Sequence, residues 1–336
     1  MHNESCANIT EVIAGAGPAV SAFMFVAGVL GNVSALVVLA LHKRGRRSEV
    51  SLFHILVNSL IITDLMGTVL ISPVVLTAYA HGVSLTKLRL CDYCAFAMAF
   101  FGLTSMFILF AMALERCLSI GCPYFYSRHA SRRTGLVAIP LIYSFCIIFC
   151  SLPLFQFGKH AQYCPGTWCF IMMHTSSLRT EHRVYSLSYA ILMKVLIVSI
   201  LLCNVSVIVN LCRMYQRQRT RRCSRAPNTR SVRGSQSEEV DHLVLLAIMT
   251  ITFVICSVPL TVRAYIGAIS QNEQNYAADL TALRCLSFNS IIDPWVFIIL
   301  NTSVVKKTLS KLLCCKMTSR GHQVQTTAFI RNETFQ

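Results

Sequence analysis

Seven stretches of about 20 or more mostly apolar residues divide this 336-residue chain: 19–41, 52–80, 91–119, 134–157, 184–211, 243–262 and 277–300. A helix rises only about 1.5 Å per residue, so about 20 apolar residues are what it needs to cross the hydrocarbon core of a bilayer. That core offers no water to backbone N–H and C=O groups, so segments of this kind must pair them internally and be helical. The fold class that follows is an all-α membrane protein, a bundle of seven transmembrane helices. Composition agrees: the chain is 54% hydrophobic and 13% charged, with mean hydropathy +0.58, unlike a soluble domain. No repeat or second composition regime interrupts the series. One domain is therefore expected over 19–300, between an N-terminal segment (1–18) and a C-terminal tail (301–336). The opening "MHNESCANIT" puts no basic stretch ahead of the first span, so no cleaved signal peptide is expected.

The basic residues set the orientation. Most of the 30 lysines and arginines fall in the loops after spans one, three and five and in the tail, including Lys43, Arg44, Arg46, Arg47 and a dense run over 213–233. Cytoplasmic loops carry such an excess, which places the N-terminus outside and the tail inside, in a multi-pass plasma-membrane protein. The net charge of +16 thus reports topology, and no nucleic-acid partner is expected. Asn3 and Asn8 head glycosylation sequons in the exposed N-terminal segment; the matches at Asn301 and Asn332 fall on the cytoplasmic side, and Asn32 and Asn204 sit in spans.

Of 16 cysteines, only Cys6, Cys91, Cys164 and Cys169 face outward, with Cys94 just inside span three. Outward cysteines sit in an oxidising compartment, which favours disulfides. "CPGTWC" has a metal-site look, yet no second Cys pair or His-x-x-His accompanies it, so no metal is expected. Beyond the seventh span, Val305, Leu309, Leu312 and Leu313 share one helical face while Lys306, Lys307 and Lys311 lie elsewhere. That pattern predicts a short amphipathic eighth helix at the membrane interface, ending in Cys314 and Cys315 as palmitoylation candidates; unmodified cysteines are the alternative.

Several functions suit seven spans. A transporter, here one for anionic lipids, should show repeated, interrupted helices, and no internal repeat is present. An intramembrane enzyme needs a catalytic constellation, and neither His-Glu-x-x-His nor Gly-x-Ser-x-Gly occurs. No enzyme is expected. What does occur is Gly31-Asn32 in span one, "TDLMG" with Asp64 in span two, Cys91 opening span three, "ALERC" with Glu115-Arg116 closing it, and "DPWVF" with Asp293-Pro294 in span seven. In that order and on those spans, the chain resembles the rhodopsin-like (class A) G protein-coupled receptors over nearly its whole length. It departs from the usual pattern at Cys117, at Ser257 in "CSVPL", and at Asp293 with Phe297. "QYCPGTWCFI", "LISPVVL", "LFAMALER" and "RCLSFNSIIDPWVF" are similar to the prostanoid receptors. Within them the likeness is first to the prostaglandin E receptors of the second subtype, then to the prostaglandin D receptors. Thr68, where the D type tends to have lysine, favours E; "FGKHAQYC" and "RAYIGA" look D-like.

The resemblance implies a receptor for prostaglandin E2, or in the alternative prostaglandin D2, that couples to a heterotrimeric G protein of the stimulatory type and raises cyclic AMP. It also implies a Cys91–Cys169 disulfide, which leaves Cys6 and Cys164 as an outward pair. Within the seventh span, the stretch 281–300 carries two charges, Arg284 and Asp293, each costing at least ~2.5–3.5 kcal/mol at a helix centre. Nine positions separate them by about 13.5 Å and about 180° of rotation, so they cannot neutralise each other. Arg284 lies toward the outer end and suits an anionic, mostly apolar ligand, since a guanidinium grips a carboxylate bidentately. The bland alternative is an arginine snorkelling to the headgroups. The resemblance adds Tyr79 and Thr167 as hydroxyl donors to the same carboxylate, and Thr68 among the ligand-facing residues; Ser287 follows Arg284 on one face. Asp293 and Asp64 belong, by resemblance, to an inner polar network able to hold a sodium ion, with no other cofactor expected. Glu115 and Arg116 sit at the cytoplasmic mouth, where the resemblance implies G protein coupling. Lys194, deep in span five, has no family role and is expected to face inward.

Overall fold

The computed structural model describes residues 6, 9–13, 15, 17–45, 52–129, 131–173, 180–222, 232–269 and 275–300. The predicted amphipathic helix, Cys314 and Cys315, and Asn3 and Asn8 lie outside these residues. The helices are α1 (Ala19–Gly45), α2 (Leu52–His81), α3 (Cys91–Gly121), α4 (Pro123–His129), α5 (Arg132–Ser151), α6 (Thr180–Arg222), α7 (Val232–Ile269) and α8 (Tyr276–Leu300). A short antiparallel hairpin, β1 (His160–Tyr163) and β2 (Trp168–Ile171), lies between α5 and α6. Seven of the helices are long and apolar enough to span a membrane, α4 being a one-to-two-turn connector. Several run past their expected limits: α6 starts before residue 184 and continues to Arg222.

α3 is the axis of the bundle. Its buried set runs from Cys94 to Arg116 around the helix, and it packs against α2, α5, α6 and both strands. α5 is peripheral: Leu141 (64% exposed) and Ile148 (66% exposed) point outward. Such apolar surface would be a liability in water and is what lipid requires. Several hydroxyls inside spans bond to their own helix, as when Ser59 and Thr63 donate to carbonyls four residues back, so they add little cost.

Prolines open carbonyls that other helices then use. Pro294 has no N–H, so the Ser290 carbonyl loses its helical partner. Asn32 Nδ2 of α1 donates to that oxygen at 2.9 Å and to Gly28 O at 2.9 Å. The approach needs a bare backbone: a Cβ on Gly31 would sit 2.7 Å from Trp295 Nε1. The Gly-Asn pair of span one is therefore the joint between α1 and α8.

Candidate functional site

One end of the bundle carries both disulfides. Cys91 at the start of α3 bonds Cys169 of β2, and Cys6 bonds Cys164. Both match the expectation, while Cys94 is a buried free thiol. Hydrogen bonds complete a lid. Gln162 Nε2 donates to Cys6 O (3.1 Å) and Ile9 O (3.0 Å) while its Oε1 accepts from Thr86 N. Glu11 bridges Val83, so the N-terminal segment lies across the α2–α3 turn. Gly166 takes φ +103° in the hairpin turn, beside Ile9, a conformation that L side chains resist.

Beneath the lid a cleft runs between α1, α2, α3, α7 and α8. Trp168 closes its upper end and Asp64 lines its depth, with Thr68, Ile71 and Val75 on the α2 wall and Leu286, Ser287 and Ile291 on the α8 wall. The walls are largely apolar, as small-molecule clefts are. Thr68 Oγ1 donates to Asp64 O at 2.8 Å and Ser287 Oγ to Leu283 O at 3.1 Å, so both hydroxyls keep acceptor capacity toward the cleft.

Arg284, Tyr79 and Thr167 do not line that space; they extend its walls toward the lid. Tyr79 follows Val75 by four residues on α2, Arg284 precedes Ser287 by three on α8, and Thr167 is the neighbour of Trp168. Each carries a buried polar atom with no protein partner: Tyr79 Oη, Thr167 Oγ1, Arg284 Nε and Trp168 Nε1. Orphaned buried donors are rare. All four lie on the walls and lid at one end of an apolar cleft. Trp168 is the member that sequence reasoning passed over, although it stands in the quoted "GTW".

Deeper in the bundle, Ser105 Oγ donates to Asp64 Oδ1 at 2.8 Å, while Asp64 Oδ2 and both Asp293 oxygens have no protein partner. The two carboxylates act on each other electrostatically. Asn289 donates to Ser257 Oγ at 3.3 Å and leaves its own Oδ1 unpaired. These free oxygens are hard ligands of the kind sodium takes, so the residues present fit the expected ion. At the opposite end from the lid, Arg116 (8% exposed) is fully engaged. Its guanidinium forks onto both Glu115 oxygens, Tyr126 Oη donates to Glu115 Oε1, and Arg116 Cζ sits 4.4 Å over the Phe53 ring.

Two basic residues are not where the sequence put them. Lys194, expected to face inward, lies exposed on α6 with Nζ 5.5 Å from the Tyr265 ring. The helix turns it onto the stripe of Ile191, Val195 and Val198, all exposed. Arg263, one residue past the expected end of span six, is buried in α7 and donates to Asp279 Oδ1 of α8 at 2.7 Å. Nothing in the spacing along the chain links those two. His160 of β1 donates from Nδ1 to Asp92 Oδ1 at 2.9 Å. Burial pushes its imidazole below the ordinary value, and the Asp92 carboxylate only partly restores it; burial likewise pushes the Tyr163 phenol up.

The rhodopsin-family 7-transmembrane receptor model matches residues 31–297. The chain is 49% identical to the prostaglandin E2 receptor EP2 subtype of Mus musculus, over 97% of this chain and 92% of that one. It is 49% identical to the Homo sapiens receptor of the same description, over 97% and 94%. To the prostacyclin receptor of Homo sapiens it is 45% identical, over 95% and 81%. Squid rhodopsin superposes with a TM-score of 0.72 at 16% identity, covering 94% of this chain and 91% of that one, which bears on the fold alone. The chain belongs to the rhodopsin family of seven-transmembrane receptors and, within it, to the prostanoid receptors.

Proposed function

We propose that this protein is a plasma-membrane receptor for prostaglandin E2, with the lid and N-terminus outside. The carrying observation is the group of four unpartnered buried donors, Arg284 Nε, Tyr79 Oη, Thr167 Oγ1 and Trp168 Nε1, at the lid end of an apolar cleft. A prostaglandin is an oxygenated fatty acid with one carboxylate. Its acid fits the donors, its chain fits the apolar walls, and its ring oxygens fit Thr68, Ser287 and the polar floor. The disulfides support the orientation, since they form in an oxidising compartment. Identity near one half to prostaglandin E2 receptors over most of both chains supports the ligand.

Signalling runs through the other end. Arg116, clamped by Glu115 and Tyr126 beneath Phe53, is withheld from any partner in this arrangement. Its release exposes a guanidinium to a heterotrimeric G protein of the stimulatory type, which raises cyclic AMP. The Asp64–Asp293 network, with a sodium ion bound or displaced, is the middle element of the switch. Glycosylation at Asn3 and Asn8 and palmitoylation at Cys314 and Cys315, after an amphipathic eighth helix, complete the reading.

The test is a cyclic AMP dose–response in transfected cells, with prostaglandins E2 and D2 and a prostacyclin analogue side by side. Prostaglandin E2 should act at the lowest concentration. A lower effective concentration of D2 would move the assignment to the D type, whose stretches "FGKHAQYC" and "RAYIGA" this chain also resembles. A response to none would remove the receptor reading.

A further inference from the structure

The geometry points to a second binding site, on the lipid-facing seam between α6 and α7, for an anionic headgroup on an acyl chain, with Lys194 as its charge partner. Lys194 lies near the middle of the Thr180–Asn210 span, on the exposed apolar stripe of Ile191, Val195 and Val198. Among the described residues its ammonium meets only the Tyr265 ring of α7, at 5.5 Å. A ring face offsets part of the cost of that charge, and a carboxylate or phosphate would offset far more.

The second observation lies behind the lysine. A narrow gap lies between α6, α7 and β2. Ala190 and Met193 line it from α6, and Thr261 and Ala264 line it from α7. Lys194 and Tyr265 follow Met193 and Ala264 directly on the two helices that bound it. The cavity also holds Ser186 and Tyr189, 1% and 3% exposed, whose hydroxyls have no protein partner. By helical rise they stand about 12 Å and about 7.5 Å from Lys194 along α6. An oxygenated fatty acid with its carboxylate on Lys194 presents chain oxygens to those hydroxyls. A phospholipid presents the same anionic chemistry through its phosphate. The site is separate from the central cleft, which none of its residues lines.

The experiment uses the full-length receptor in phosphatidylcholine nanodiscs, a fatty acid carrying a chain-end diazirine, and peptide mapping after illumination. Labelling should map to residues 180–210 and 247–267. It should fall at least about tenfold in Lys194→Gln, the weight of roughly one charge contact, and persist in Lys194→Arg. Ser186→Ala with Tyr189→Phe should weaken it further for a hydroxylated probe than for a plain one. Adding phosphatidylglycerol to the discs separates the sources: suppressed labelling assigns the site to phospholipid, and unchanged labelling to fatty acid. Arg284→Leu should leave the labelling intact, which separates this site from the prostaglandin reading. Equal labelling of the wild type and Lys194→Gln would overturn the proposal and leave Lys194 a snorkelling lysine. Loss of labelling in Arg284→Leu would overturn it too, because the probe would then be reporting the central cleft.

Discussion

Arg263 and Arg284 sit on neighbouring helices toward the same lid, and their surroundings are opposite. Arg263 donates to a fully buried carboxylate, Asp279. Arg284 meets no acid among the described residues, and its Nε has no partner. A buried ion pair fixes one helix against another and is closed to newcomers. An unpaired guanidinium beside an apolar cleft, with three further orphaned donors, is open to one. The difference separates an arginine spent in an ion pair from one left open to an anion, a distinction that residue type alone does not make.

The comparison breaks first at the pair. Arg263→Leu removes one partner of a buried ion pair, which costs about 3–5 kcal/mol. Thermal melting of the purified receptor should fall sharply, and Arg263→Leu with Asp279→Leu should recover much of the loss. A single variant as stable as wild type would show that the pair does not hold α7 to α8. Arg284→Leu should do the reverse. Folding should survive, while affinity for the free acid falls by about 2–5 kcal/mol. A neutral ester should bind wild type less well and lose much less on mutation. Equal losses for acid and ester in competition binding would make Arg284 a structural residue like Arg263.

Tyr79→Phe and Thr167→Ala each remove one hydrogen bond to a charged group, about 1.5–3 kcal/mol. Because all three groups act on one carboxylate, the losses should not add to that of Arg284→Leu. Strict additivity in the double variants would mean separate roles.

His160 gives a smaller effect. Its folded pKa lies below the unfolded value of 6.5, so the unfolded chain binds more protons between the two. Its contribution is whole above the unfolded value and declines as pH falls toward the folded one. Melting should therefore drop slightly on acidification, and His160→Gln should flatten that slope; Asp92, 76% exposed, adds little. The smallest expected change is in ligand affinity on Arg116→Ala. Binding should stay near wild type while G protein activation weakens, because Arg116 lies at the far end from the lid. A parallel loss of binding would contradict the separation of the two ends.

Hydropathy and positional pattern were enough for the seven spans and the receptor family, and the resemblance together with the four outward cysteines was enough for both disulfides. Those depend on local composition and on residues that keep their places along a helix. The lid was less legible. "CPGTWC" announced disulfides, but neither the hairpin nor the three side-chain hydrogen bonds of Gln162 has a local signature, since they join segments far apart in the chain. Trp168 stood beside Thr167 in the sequence, yet only its burial with an unpaired Nε1 brings it into the donor set.

The sequence by itself determined that this chain is a seven-helix membrane protein, because every backbone group in hydrocarbon must be paired and each span must be mostly apolar; its motifs, in order on those spans, carried the resemblance that made it a receptor. Only the tertiary structure decided what each intramembrane charge does. Helical rotation placed Lys194 on the lipid side, packing of α7 against α8 gave Arg263 its carboxylate, and the same packing left Arg284 without one. Whether a buried charge is spent or available depends on neighbours that are distant in sequence, and a linear reading does not contain them.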